Sequence, residues 1–174
     1  MTGSANTVSN DKIRAISLTA IFIALTFVFT FICVPGPRGG FIHLGNIPAF
    51  IAAILLGPKK GAIAGSVGMA LYDISGGFFV WAPFTFVIRL AMGIVLGLIT
   101  RKTQGASFVK NIIGTLVASV IMIAGYYVAE IIIYGNPFSP VASIPGNVAQ
   151  LVIGIIGAII LVPILRKVFK NKIR

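Results

Sequence analysis

Four ionisable side chains lie inside or beside strongly apolar stretches of the sequence: His43, Asp73, Arg89 and Glu130. A charge within a membrane helix is costly unless it is paired or hydrated, so each is a candidate for a functional role. The alternative is a structural ion pair of Arg89 with Glu130 or Asp73, and His43 could simply be a solvated loop residue. The residue types predict a polar site and leave open whether its charges meet a ligand or one another.

Aromatic and amide side chains accompany these charges. Trp81, Phe84 and Ile88 recur at helical spacing on one face beside Arg89, and Asn147 and Gln150 stand one helical turn apart. A flat heteroaromatic ligand needs a ring to stack on and hydrogen-bonding groups around its rim. An interfacial aromatic belt is the other interpretation of Trp81. The predicted substrate-binding residues are Asn46, Asp73, Trp81, Phe84, Arg89, Glu130, Asn147 and Gln150.

The sequence gives little support to catalysis or to nucleic-acid binding. It contains no H-E-x-x-H, no G-x-S-x-G, no phosphate loop and no histidine–cysteine cluster with metal-ligand spacing. One histidine and one cysteine leave few groups for acid–base or metal chemistry. The net charge of +11 is spread in small groups without a basic face. We therefore expect no catalytic residues, no metal site and no nucleic-acid partner.

Composition places these residues in a membrane protein. Of the 174 residues 57% are hydrophobic and 10% are charged, and the mean hydropathy is +1.05, whereas soluble domains carry about 25% charged residues. Six apolar stretches predict an all-α membrane domain over residues 1–174. They are 13–33, 47–56, 61–74, 82–100, 108–134 and 148–169. The second and third are too short for upright spans of the full bilayer core.

The distribution of lysine and arginine predicts the orientation. With the N-terminus inside, cytoplasmic segments hold 12 of the 14 basic residues; Arg38 lies outside and Arg89 lies within a helix. This asymmetry fits the positive-inside rule only for an even number of spans. We therefore predict a six-helix bundle in the cell membrane with both termini in the cytoplasm. The ionisable and amide groups within the helices are expected to cluster in its outer half.

Small residues spaced four apart mark faces on which helices approach closely. The glycine pairs 61/65 and 93/97 favour packing inside the bundle. For Ala20 and Ala24 two interpretations remain open, namely internal packing and docking onto another membrane subunit.

Several segments resemble the substrate-binding S components of energy-coupling factor (ECF) vitamin transporters, in particular the riboflavin-carrier-related group with its pyridoxine and hydroxymethylpyrimidine carriers. The segments are Leu44-Gly45-Asn46-Ile47-Pro48-Ala49, then Leu56-Gly57-Pro58-Lys59-Lys60-Gly61-Ala62, and then Gly65, Gly68 and Leu71-Tyr72-Asp73. Length, span count and topology agree over the whole chain. Some members carry an acidic residue where this chain has Asn46, which leaves the vitamin open.

The resemblance implies a mechanism. An S component binds its vitamin at the outer face, associates with a transmembrane coupling subunit and two ATPase subunits, and topples to release the vitamin inside. It implies that Ala20 and Ala24 dock onto the coupling subunit and that segment 34–46 is a gate, with Pro35, Arg38, Gly39 and His43 as gating residues. It also implies that the chain needs no cofactor, because its partners use the ATP.

The choice of vitamin is a weaker inference. The mixed charges favour a small polar heteroaromatic, so pyridoxine or hydroxymethylpyrimidine is expected to stack on Trp81. Pantothenate could use Arg89 instead, and riboflavin is a further candidate. A solitary ion-coupled transporter with its proton site at Glu130 or Asp73, and a membrane-embedded enzyme, are the remaining alternatives.

Overall fold

The computed structural model describes residues 3–36 and 41–169, and most of them are helical. The elements are α1 (Gly3–Phe31), β1 (Cys33–Pro35), β2 (Phe41–His43), α2 (Asn46–Ser75), α3 (Ala82–Thr100), α4 (Phe108–Tyr134), a 3-10 helix (Ser139–Ser143) and α5 (Ile144–Phe169). Five helical stretches within the described ranges are long and apolar enough to cross a membrane. The predicted mostly helical, membrane-type architecture is confirmed.

Helix α2 is broken at Gly57 and folds back on itself. Gly57 has φ 82° and ψ −175°, a conformation that favours glycine, and Pro58 suits the first turn of the following segment. Across the break, Gly61 lies directly against Ala53, and Gly65 faces Ala49. From the first pair to the second, both partners lie further along the sequence from residue 57, in opposite directions. The first arm (46–56) and the second arm (58–75) are therefore antiparallel. The predicted stretches 47–56 and 61–74 therefore fall on two arms of one element.

Glycines also bring the second arm against α3. A Cβ atom on Gly93 would collide with Ala62, and one on Gly97 would collide with the backbone of Pro58. The predicted internal packing of both glycine pairs is thus confirmed. Ala20 and Ala24 on α1 are exposed instead, so their internal-packing interpretation is wrong for the single chain.

The bundle has two distinct ends. At the basic end, the break of α2 meets the start of the α3–α4 turn, and Gly105 in that turn packs against Ile54 and Val162. The exposed lysines and arginines here are Lys59, Lys60, Arg101, Lys102 and Lys110. At the opposite, hairpin end, Phe41 of β2 meets Phe78 of the α2–α3 turn with ring centroids 5.6 Å apart.

The expected one-sided distribution of amides has an exception at the basic end. Asn111, in the first turn of α4, is 3% exposed and its Nδ2 donates to the carbonyl of Gly105 at 3.0 Å. This hydrogen bond holds the α3–α4 turn, where Gly105 has a φ of 80°. The amide N–H group thus satisfies a carbonyl of the turn, whereas Oδ1 of Asn111 is buried without a partner among the described residues.

Several helix limits differ from the sequence prediction. The first helix begins at Gly3 rather than at residue 13. The first helix ends at Phe31 rather than Cys33, because Pro35 disfavours helical backbone at Val34. The chain instead forms an antiparallel hairpin in which Cys33 faces His43 and Pro35 faces Phe41. Helix α5 begins at Ile144, before position 148, because proline is compatible with a first helical turn. Of the gating residues, Arg38 and Gly39 lie outside the described residues.

The contact between the two arms of α2 can be tested with a matched pair of substitutions. Gly61→Ala places a methyl group into the backbone of Ala53 and should lower the free energy of unfolding by about 1–3 kcal/mol. Gly65→Ala raises the helix propensity by the same amount, but its new methyl group contacts only Ala49, with 3.2 Å between the Cβ atoms. The loss of stability should therefore be smaller. Denaturation of the purified protein in detergent measures both. Equal stability of the two variants would contradict the tight crossing at Gly61.

Candidate functional site

A cavity of about 490 Å³ lies at the hairpin end of the bundle. Residues from the end of α1, the hairpin, the second arm of α2, the α2–α3 turn, α3, α4, the 3-10 helix and α5 surround it. Its lining residues are Thr30, Gly36, Phe41, Ile42, His43, Met69, Tyr72, Asp73, Phe78, Trp81, Thr85, Arg89, Tyr126, Glu130, Tyr134, Ser139, Ser143, Gly146, Asn147 and Gln150. A volume of this order is typical of small-molecule sites.

Most of the predicted substrate-binding residues meet at this cavity. Those that line it are Asp73, Trp81, Arg89, Glu130, Asn147 and Gln150. Two do not: Asn46 is fully buried below it, and Phe84 packs partly buried against the apolar core. That these residues bind a substrate stays a prediction.

Arg89 is the most unusual of them, because it is 3% exposed and forms no ion pair with a carboxylate of the described residues. Its Nη1 donates to Oδ1 of Asn46 and lies 3.1 Å from the sulfur of Met122. Its guanidinium carbon lies 5.4 Å from the ring centroid of Tyr126. Within residues 3–36 and 41–169, no carboxylate comes within ion-pair distance of Arg89. The alternative of a structural Arg89–Glu130 or Arg89–Asp73 pair is therefore wrong.

The two carboxylates have neutral partners. Asp73 is hydrogen-bonded to the hydroxyl of Thr85, which in turn accepts from the Tyr126 hydroxyl at 3.2 Å. Glu130 accepts from the Ser143 hydroxyl at 2.9 Å. Among the described residues, the opposite charges at the cavity thus form no ion pair, and each of these side chains has uncharged hydrogen-bond partners.

Three polar atoms of cavity-lining residues are buried without a partner among the described residues. They are Oδ2 of Asp73, Nε of Arg89 and Oε1 of Gln150. The Gln150 side chain is oriented by its other end, because Nε2 donates to Oδ1 of Asn147 at 2.9 Å. Buried polar atoms are nearly always paired in folded proteins. Two acceptors and one donor left over around one cavity indicate a ligand with both donor and acceptor groups.

Aromatic rings form the wall beside these polar groups. Trp81 lies 6.3 Å from Tyr126 and 6.1 Å from Tyr134 between ring centroids, and Tyr72 stacks on Phe78 at 6.4 Å. A heteroaromatic ring would find both stacking and edge contacts here.

Sequence reasoning missed Thr85 because it chose the wrong helical face on α3. The spacing 81/84/88 put Phe84 in the site, whereas the structure turns the face 81/85/89 to the cavity and buries Ile88 against Gly125. The same four-residue spacing links Tyr126, Glu130 and Tyr134 on α4. Spacing from the charged residues could have found Thr85 and Tyr134.

The hairpin contributes His43 to the cavity. Its Nδ1 accepts a hydrogen bond from the backbone N–H of Gly45 at 3.2 Å. Burial, together with the nearby charge of Arg89, lowers the pKa of His43 to about 3, so the imidazole is neutral near pH 7. Pro35 is exposed on β1 opposite Phe41. The gating role of both residues stays a prediction.

Comparison with known proteins gives matches over most of the chain. Residues 10–167 match the model of the family described as ECF-type riboflavin transporter, S component. The thiamine precursor transporter HmpT of Lactococcus lactis subsp. cremoris is 29% identical over 162 residues, which cover 91% of each chain. A protein of Pyrococcus woesei, named only for its position in the gap 3′ region, is 33% identical over 134 residues, covering 76% of this chain and 88% of its own.

The contact between Asn46 and Arg89 should be essential to the stability of the site. Asn46→Leu leaves the buried guanidinium without its oxygen acceptor and should lower the free energy of unfolding by about 1–3 kcal/mol. Asn46→Asp, of nearly the same shape, keeps an oxygen acceptor and adds a counter-charge, so it should cost less. Thermal denaturation in detergent compares the two. If Asn46→Asp loses as much stability as Asn46→Leu, the oxygen acceptor at position 46 does not stabilise the buried Arg89.

Proposed function

Because this chain belongs to the family of ECF-type riboflavin transporter S components, we propose that its cavity captures a small water-soluble vitamin or vitamin precursor. Members of this family are transporter subunits for vitamin uptake, so the chain is a transport protein of the membrane and not an enzyme. Hydroxymethylpyrimidine or pyridoxine is the favoured ligand. The observation that carries the proposal is the aromatic cavity with unpaired donor and acceptor atoms around it.

The chemistry of hydroxymethylpyrimidine complements this cavity. Its exocyclic amine can donate to Asp73 and Gln150, and a ring nitrogen or its hydroxymethyl oxygen can accept from Arg89. Trp81 and Tyr126 offer ring faces and edges for the pyrimidine. The similarity to a thiamine precursor transporter over 91% of both chains supports this choice, because hydroxymethylpyrimidine supplies the pyrimidine ring of thiamine. Pyridoxine has the same ring size and hydroxymethyl groups but lacks the amine.

Two other vitamins are each favoured by one observation. The cavity of about 490 Å³ has room for the three-ring system of riboflavin, whose transporters give the matching family its description. The buried Arg89 has no carboxylate partner among the described residues, and the carboxylate of pantothenate could supply one. A solitary ion-coupled transporter is less well supported, since this family provides subunits rather than complete transporters.

The proposed topology has six spans with both termini in the cytoplasm. If the antiparallel arms of α2 count as two spans, the five long helices of the described residues provide six, and an even number would return the C-terminus to the side of the N-terminus. Five exposed basic residues at the α2 break and the α3–α4 turn support a cytoplasmic basic end. The cavity would then open outward in the cell membrane, with the hairpin as its gate.

Transport is proposed to depend on partner subunits. The chain would associate with a transmembrane coupling subunit and two ATPases, which use the ATP, and would topple to release the vitamin inside. The exposed alanines on α1 support a docking face, because a pair of small side chains lets another helix approach closely. No cofactor of its own is proposed for this chain.

Titration of the purified protein tests the ligand. Hydroxymethylpyrimidine, pyridoxine, riboflavin and pantothenate are added separately while the fluorescence of Trp81, the single tryptophan, is recorded. We expect hydroxymethylpyrimidine or pyridoxine to bind most tightly, and Trp81→Phe to retain affinity better than Trp81→Ala, which should lose about tenfold, or about 1.4 kcal/mol. Calorimetry measures the affinity of the two Trp81 variants, which contain no tryptophan, and of any ligand that leaves the fluorescence unchanged. Failure of all four to bind would refute the proposal.

The docking face is tested by enlarging one small residue. Ala24→Trp should abolish vitamin uptake by cells that also carry the coupling and ATPase subunits, because the indole prevents close approach of a partner helix. Affinity for the vitamin in detergent should be unchanged, since Ala24 is exposed and outside the cavity lining. Val120→Trp, at a 67% exposed position on α4, is the matched control and should leave uptake intact. Equal uptake by the two variants would place the docking face elsewhere.

A further inference from the structure

The hairpin presents one hydrogen-bond donor whose position is fixed by the backbone. His43 is the last residue of β2 and lines the cavity. Because its Nδ1 accepts from the N–H of Gly45, and a neutral imidazole carries a single proton, that proton must be on Nε2. No hydrogen bond to Nε2 is formed by any residue in the described part of the chain.

The surroundings of His43 keep its imidazole neutral, with a single proton. Arg89 on α3 provides the positive charge that opposes protonation, and burial opposes it further. The other titratable groups of the lining are Tyr72 and Asp73 on α2, Tyr126, Glu130 and Tyr134 on α4, while Cys33 faces His43 across the hairpin. A neutral imidazole beside a fixed cation acts as a directional donor rather than as a second charge.

We propose that the Nε2–H group of His43 donates a hydrogen bond to an acceptor atom of the bound ligand, and thereby selects heteroaromatic rings with an acceptor on the side of the hairpin. This inference rests on the proposed function and deepens it. The acceptor would be a ring nitrogen or a hydroxymethyl oxygen. A ring without an acceptor there would leave a desolvated donor unpaired, which is the kind of penalty that discriminates between similar ligands.

Hydrogen-bond acceptors elsewhere in the cavity lining complement this donor. Asp73 and Gln150 supply unpaired oxygens from α2 and α5, whereas Arg89 and His43 supply N–H donors. A ligand must then carry donors on one edge and acceptors on another. An aminopyrimidine meets this requirement without any charge of its own, because its amine donates and its ring nitrogens accept.

A pair of substitutions separates ligand binding from a purely structural role of His43. In His43→Asn the amide oxygen takes the place of Nδ1 and can still accept from Gly45, but nothing reaches the position of Nε2. In His43→Gln the longer side chain can place its amide N–H near the position of Nε2, while the contact with Gly45 is lost. We expect the dissociation constant for hydroxymethylpyrimidine to rise about tenfold in His43→Asn. In His43→Gln it should rise less than about threefold.

The opposite order, with His43→Gln the weaker binder, would show that His43 only holds the turn and would overturn the proposal. Wild-type affinity in both variants would overturn it as well while leaving the proposed function intact. If the wild-type protein binds none of the vitamins, the proposed function fails and this inference fails with it. These outcomes are distinguishable in one set of titrations.

Ligand analogues provide a second test that does not depend on how the variants fold. Each acceptor of hydroxymethylpyrimidine is removed in turn, by replacing a ring nitrogen with C–H or the hydroxymethyl group with methyl. One analogue should bind the wild-type protein about tenfold more weakly, and the same analogue should show no further loss in His43→Asn. If all analogues bind the wild-type protein as well as the parent compound does, no acceptor is recognised and the proposal is wrong.

Discussion

The reversal of α2 at Gly57–Pro58 is the constraint on which the rest of the structure depends. It requires a backbone conformation that glycine favours, followed by a residue that can start a helix without an N–H. The glycine contacts at Gly61 and Gly65 then hold the two arms together. As a result, Asn46 at the start of the first arm and Asp73 near the end of the second both lie toward the hairpin end. Without this reversal the polar residues of α2 would be a full helix length apart.

The second arm extends this constraint to α3. Gly93 and Gly97 allow α3 to lie against Ala62 and Pro58, which sets the position of Arg89 relative to the two arms. The guanidinium then meets Asn46 and two methionine sulfurs in place of a carboxylate. A buried cation without a counter-ion in the described residues is costly to a protein that is empty of ligand. In a transport subunit that cost is acceptable if binding of a ligand compensates it. The stability of the site would then depend on ligand binding.

The hairpin differs from the rest of the protein in how it is built. It consists of two strands of three residues each, and it covers the cavity through Phe41, Ile42 and His43. It contacts the bundle through the ring pair of Phe41 and Phe78, among other contacts, and the hydrogen bond from the Leu44 N–H to the carbonyl of Ile32 joins its two ends. Such a small element opens at a lower free-energy cost than any helix of the bundle. Its small size is compatible with the proposed gate, and it places His43 in the lining of the cavity.

The sequence by itself determined the membrane-type helical architecture, the glycine contacts and most of the polar residues around the cavity. These follow from apolar length, from small residues spaced four apart and from the cost of charge in an apolar segment, all of which are local properties of the chain. Only the tertiary structure determined which polar side chains contact one another. The sequence allows an ion pair between Arg89 and Glu130. The packing of α3 instead places Arg89 within hydrogen-bond distance of the Asn46 amide oxygen. The face of α3 that meets the cavity, with Thr85 rather than Phe84, was likewise decided by rotation of the helix against its neighbours, because periodicity identifies faces and cannot say which one turns inward.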